Sequence, residues 1–183
     1  TIDRFFCWGA DDHQFLISKH PNQEEKIVKT GGLRSVLWGD LGRRFYLDKI
    51  HRLKKQYGEF VLFPTNFGVA NPAGGPEQFD QYSTTYPDLG GGREATLKKL
   101  LARDTRIINL FVETVKEIRS RTPINVLVRP HPVEDSRMWR SALRGIKGAY
   151  VDNSGELIPM ILASNVVIHN GCTSGIEAAI SGT

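Results

Sequence analysis

Ile124-Asn125-Val126-Leu127-Val128-Arg129-Pro130-His131-Pro132 is the stretch on which the fold turns. Asn125 aside, its first five residues make an apolar run with β-branched members, the pattern of a strand covered on both faces rather than one shared between core and water. Arg129 and His131 follow at once, the histidine held between two prolines, so the polar pair stands at the C-terminal edge of that strand. Downstream, residues 135–143 read as a helix, 149–151 as a strand, 156–163 as a helix, 166–168 as a strand, and a further helix starts near Ser174. Upstream, Leu97, Leu100, Leu101, Ile107, Ile108, Phe111, Val115 and Ile118 keep helical spacing, and residues 59–64 form another buried strand before the loop Thr65-Asn66-Phe67-Gly68. This regular alternation predicts an open parallel α/β sheet.

Towards the N-terminus the same logic continues. Residues 5–8 read as a short buried strand and 12–19 as a helix that Asp11 or Asp12 caps, with a second strand at 26–30 stopping at Gly31-Gly32. Residues 41–57 form one basic helical pattern closed by Gly58, and the division between two α/β units is placed at residues 45/46. Residues 71–93, rich in Gly, Pro, Asp and Tyr, show neither period and read as a long functional loop, a lid or an acceptor-side segment. The chain opens on Thr1-Ile2-Asp3 and stops at Ser181-Gly182-Thr183, where a glycine caps a helix, so it is expected to be a piece of a longer protein.

Composition narrows the function classes. The 183 residues carry a net charge of +4, and 40% of them are hydrophobic, an ordinary globular balance that excludes a disordered or collagen-like chain. Cations and acids are mixed along the chain, which speaks against a nucleic-acid partner; an anionic small ligand or attachment at an anionic membrane surface both suit the modest excess. No run reaches transmembrane length. Cys7 and Cys172 stand far apart without metal-ligand spacing, so free thiols in a reducing, cytoplasmic compartment and no metal are expected.

Ligands of open parallel sheets bind outside the C-terminal ends of the strands. Here those ends carry Asn66, then Arg129 with His131, then Asp152 and Asn153, then His169 and Asn170. The run His169-Asn170-Gly171-Cys172-Thr173-Ser174-Gly175-Ile176-Glu177 reads as a phosphate cradle, because Thr173 and Ser174 lie at a helix start where free amides and the helix dipole attract an anion. Glu177 accepts from a ribose hydroxyl or closes a capping box with Ser174; both readings stand. Glu156, after Gly155, either contacts the base or ribose or supplies acidic charge at a helix start. Cys172 reads as a small packing residue in the turn. Asp11, Asp12 and His13 follow the first strand, where an acid or base on the acceptor side would stand, although N-capping accounts for one of the aspartates without chemistry.

Phe5-Phe6-Cys7-Trp8-Gly9, Lys29-Thr30-Gly31 with Arg34, Pro64-Thr65-Asn66-Phe67-Gly68, Arg129-Pro130-His131-Pro132 and the block from Ile158 to Glu177 together resemble the bacterial surface carbohydrate biosynthesis proteins. The likeness spans nearly the whole chain in order; Gly32-Leu33 departs from it, where a small polar residue and a proline are usual. The resemblance implies a GT-B-like architecture. Residues 1–45 would be the C-terminal part of an N-terminal Rossmann-like domain with the interdomain segment, and 46–183 a nucleotide-binding Rossmann-like domain truncated at its end. The His-Pro element followed by a Ser/Thr pair is similar to that of Kdo transferases, polysialyltransferases and CDP-glycerol glycerophosphotransferases. It implies no cofactor beyond a CMP- or CDP-linked nucleotide-sugar donor, and a glycan or lipid-linked acceptor at the inner face of the cytoplasmic membrane. His131 would touch the donor phosphate, and Thr173 with Ser174 would bind it, within a set completed by Asn66, Arg129, Glu156, Asn170, Gly171, Cys172 and Glu177. A glycosyltransferase is the expected activity; a nucleotide-sugar 2-epimerase-like enzyme and a non-catalytic nucleotide-binding assembly component are the alternatives.

Overall fold

The structure, a computed structural model, describes residues 2–75 and 92–183. It is mixed α/β with two parallel sheets. The larger sheet has the order β5-β4-β3-β6, from β3 (Phe60–Pro64), β4 (Asn125–Arg129), β5 (Ala149–Val151) and β6 (Val166–Val167). Every pairing in it is parallel, with Pro64 opposite Arg129 and Val61 opposite Val166. After β3 the chain winds towards β4 and β5, then returns to the far side of β3 to lay down β6. The C-terminal ends of β3 and β6 therefore flank the point where the winding direction changes, which is where open sheets of this kind hold ligands.

The strands are apolar on both faces because both are covered. Phe60, Leu62 and Leu127 face a layer made by α3 (Leu47–Tyr57) and α6 (Leu157–Ala163), where Trp38, Tyr46, Ile50 and Ile161 pack. Val61, Phe63, Val126 and Val128 face the opposite layer of α4 (Gly92–Arg121) and α5 (Ser136–Ala142). Phe111 of α4 meets Phe63 edge-on at 5.3 Å between ring centres, and Trp139 of α5 is fully buried beside Phe67. Alternate residues of one strand thus serve alternate cores, the consequence of a two-residue side-chain period. Asp135 accepts from the Arg137 amide and caps α5, and Gly182, in the left-handed region at φ 72°, closes α7 (Ser174–Ser181).

The N-terminal residues make a smaller parallel pair, β1 (Phe5–Cys7) with β2 (Ile27–Lys29), bridged by α1 (Ala10–Lys19) and a 3-10 turn at Pro21–Lys26. The expectation of a buried strand at 5–8 is corrected: only Cys7 is buried, while Phe5, Phe6 and Trp8 are exposed. Helix α1 also begins earlier than expected, with Gly9 as its N-cap and no side-chain cap, so Asp11 and Asp12 lie inside its first turn instead of capping it. The single helix expected over 41–57 is two. Helix α2 (Asp40–Phe45) stops at Tyr46, whose φ of −97° and ψ of 12° break the ladder so that its ring can enter the core under α6. Gly42 lets α2 fold back on the 3-10 turn Leu33–Trp38, since a Cβ there would run into the Leu37 carbonyl. The Arg43 guanidinium then donates to Leu162 O at 3.3 Å and Ser181 O at 2.8 Å, satisfying the C-terminal carbonyls of α6 and α7 together. Of the loop expected over 71–93, most lies outside the described residues; Pro72 bridges Glu134, and α4 already begins at Gly92. Among the described residues no helix is long and apolar enough to cross a membrane.

The ring of Phe63 joins the sheet to α4 with no exposed surface. Phe63→Ala is expected to cost about 3–5 kcal/mol in urea unfolding, from lost transfer energy and the cavity left behind. The same change at exposed Phe5 should stay within about 0.5 kcal/mol.

Candidate functional site

A cavity of about 480 Å³ opens over the C-terminal ends of β3 and β4 and against the N-terminus of α7. Its polar lining comes from Thr65, Arg129, His131, Ser174 and Glu177, with Arg34 reaching in from the turn before α2. Parallel pairing of β3 with both β4 and β6 brings these groups together, because three strands end on the same side.

The Pro-His-Pro turn is braced from below. Glu134, only 3% exposed, accepts from the Thr65 hydroxyl at 2.6 Å and the His131 amide at 3.0 Å through one carboxylate oxygen, and from the Trp139 indole at 3.0 Å through the other. The His131 ring stands exposed at the cavity; its Nδ1 accepts from the Val133 amide at 3.3 Å. A neutral imidazole whose Nδ1 accepts carries its proton on Nε2, which is then the donor offered to a ligand. Arg129 spends one terminal nitrogen on Gly155 O at 3.1 Å, and burial draws its pKa down against the opposing charges of Asp152 and Glu177.

The loop into α7 is held by His169. Its Nδ1 accepts from the Gly171 amide at 3.1 Å, and its ring lies where any Cβ on Gly175 would have to go. The Gly175 amide donates to Cys172 O, and those of Ile176 and Glu177 to Thr173 O. Among the described residues, the amides of Cys172, Thr173 and Ser174 at this helix start have no acceptor within the chain, while that of Gly171 is spent on His169. Ser174 is 2% exposed with its hydroxyl against the Cys172 thiol. The capping box does not form: Thr173 is the N-cap, no side chain caps α7, and Glu177 Oε2 is buried without a partner.

Unpaired buried polar atoms are rare in folded chains. Among the described residues, the side-chain atoms in this state are Trp38 Nε1, Arg129 Nε, Asn170 Oδ1 and Glu177 Oε2. Arg129 and Glu177 line the cavity and Asn170 belongs to the loop before α7. Glu177, 8% exposed, has its pKa raised by burial, which the charges of Arg34 and Arg129 only partly offset.

Of the residues singled out in the sequence, Arg129, His131, Glu156, Cys172, Thr173, Ser174 and Glu177 all line this one cavity. Glu156 is the N-cap of α6; its carboxylate pairs with Lys49 at 2.6 Å and also borders a second cavity of about 530 Å³. Asn66 is exposed and outside the lining; Pro64 and Thr65, the residues before it, take the place foreseen for it. Asp152 is engaged in structure: the Tyr57 hydroxyl donates to it at 2.7 Å and the Ser154 amide at 2.8 Å. Burial would raise its pKa, but these bonds and the Arg129 charge bring it below the usual value. Asp11, Asp12 and His13 lie on α1 beside the small sheet, away from the cavity lining. Sequence reasoning did not select Arg34, Tyr46 or Thr65 for the site; an arginine set between Leu33 and the apolar Val36-Leu37-Trp38 was the one local hint.

Glu177 gives a pH test. A raised folded pKa means that the fold disfavours the charged carboxylate, so the penalty is absent below the unfolded pKa and complete above the folded one. Glu177→Gln is expected to raise the Tm near pH 8, the gain shrinking to nothing by about pH 3.5. A lower Tm at pH 8 would show the charge to be favourable there. Comparison of the chain with protein-family models, curated proteins and solved structures finds no match to any of them.

Proposed function

We propose that this chain is the nucleotide-binding part of a GT-B-like glycosyltransferase of bacterial surface polysaccharide synthesis, taking a CMP- or CDP-linked donor. The observation that carries the reading is the convergence on one cavity of two guanidinium groups, an imidazole Nε2 donor and the free amides of a helix start, with Arg129 Nε and Glu177 Oε2 both buried and unpaired. Such a set suits a phosphate: the helix start supplies amides and dipole, and the guanidinium supplies charge in a fork geometry. Glu177 Oε2 is a buried acceptor, fit to receive a hydrogen bond from a ligand hydroxyl or amine.

In the transfer the acceptor hydroxyl oxygen attacks the anomeric carbon of the donor and loses its proton to a base. The bond from that carbon to the phosphate oxygen breaks, and its electron pair leaves with the nucleotide. Arg129, Arg34, His131 and the amides of Thr173 and Ser174 lower the barrier by meeting the charge that develops on the leaving phosphate. Preorganisation by Glu134 means that the His131 turn need not reorder in the transition state. Asp11, Asp12 and His13, the residues named for an acid or base on the acceptor side, do not line the cavity.

Calorimetry with CMP and CDP tests the reading. Arg129→Gln is expected to weaken binding about 10–100-fold, the scale of a lost charge-assisted hydrogen bond, and His131→Ala about 3–10-fold. Unchanged affinity in both variants, or no binding of either nucleotide by the parent chain, would end the assignment.

A further inference from the structure

The chain's net charge is not evenly spread. Residues 40–57 hold six cations, Arg43, Arg44, Lys49, Arg52, Lys54 and Lys55, against Asp40 and Asp48, so the whole excess of +4 resides in α2 and α3 and the other residues balance. Beside these charges stand three large apolar side chains facing water: Leu41 at 58% exposure, Phe45 at 70% and Leu47 at 50%. Leu41 and Phe45 are one turn apart on α2, with Arg44 between them. On α3, Ile50, Leu53 and Tyr57 face the core; Leu47, His51, Lys54 and Lys55, spaced i, i+4, i+7 and i+8, share another face. Arg43 turns inward to Leu162 O and Ser181 O, Lys49 pairs with Glu156, and Lys54 lies 3.6 Å from Glu59.

We infer that the elbow formed by α2 and the Leu47–Lys55 face of α3 docks on an anionic lipid surface, with Leu41, Phe45 and Leu47 entering the headgroup boundary and Arg44 and Lys55 meeting lipid phosphates. Exposed aliphatic and aromatic side chains set among cations are the combination that interfacial binding rewards. A nucleic acid would match the charge but gains little from Leu41 and Leu47, which offer neither a stacking plane nor a hydrogen bond. A second copy meeting this face would set like charge against like. Tyr46, between Phe45 and Leu47, lines the nucleotide-sized cavity, so docking brings that cavity close to the lipid surface. The inference rests on the elbow alone and holds whatever ligand the cavity takes.

Co-sedimentation of the 183-residue chain with vesicles tests it. Binding is expected to vesicles with about 30% phosphatidylglycerol in phosphatidylcholine and not to phosphatidylcholine alone, with most of it lost in about 0.5 M salt. Arg44→Gln with Lys55→Gln should weaken it about 25-fold, near fivefold per charge, and Phe45→Ser or Leu41→Ser about tenfold, with circular dichroism unchanged. Equal binding to both vesicle types, no binding to either, or full binding by the folded variants overturns the inference. So does an oligonucleotide that competes with the vesicles and binds Phe45→Ser undiminished, or a dimer in light scattering that Phe45→Ser dissolves.

Discussion

A buried carboxylate holds the site in place. Glu134 accepts hydrogen bonds from the Thr65 hydroxyl beyond β3, the His131 amide in the turn beyond β4 and the Trp139 indole on α5, so one side chain ties two strand ends and a helix together. An anion in the interior is tolerated only when its lone pairs are met, and here both oxygens are. Because two of the three donors lie beside or within the cavity rim, the cost of losing the carboxylate would fall on the rim. Its donors would then be buried without an acceptor, each at about 1–3 kcal/mol. The prolines around His131 limit the backbone and Glu134 chooses its position, and the imidazole is left exposed with Nε2 free.

The contrast between Glu134 and Glu177 organises the cavity. Both are carboxylates, almost equally buried at 3% and 8%, but one is satisfied by the protein and the other keeps an oxygen without a partner. The first is a fixed part of the frame. The second holds its charge at a cost that Arg34 and Arg129 reduce without removing.

The larger sheet was legible in the sequence because its signals are local. The apolar runs of β3 and β4 need cover on both faces, and the period of α4 supplies one of those covers; neither statement requires knowing what touches what. The turn before α7 and the start of that helix at Ser174 were legible for the same reason, being continuous in sequence. What escaped depends on partners distant along the chain. Tyr46 breaks a good helical pattern because its ring is wanted under α6, and Arg34 enters the cavity only through the fold of the turn that carries it. Glu134 looks like any acid near a helix start until Thr65 and Trp139 are brought to it. Phe5 and Phe6 have the composition of a buried strand, yet composition does not say whether anything lies against them. Asn66 lost its place to Pro64 and Thr65, the residues directly before it, and lies exposed beyond the end of β3.

The contact between Gly175 and His169 carries a constraint on how such a loop can change. The imidazole occupies the space a methyl group would need, and swinging it away would forfeit its bond to the Gly171 amide. Position 175 can gain a side chain only if the ring at position 169 swings aside or is replaced, and either change removes the bond that ring makes to the turn leading into α7. The two sites are obliged to drift as a pair, so among descendants of this chain a ring at one and a bare backbone at the other should be inherited together.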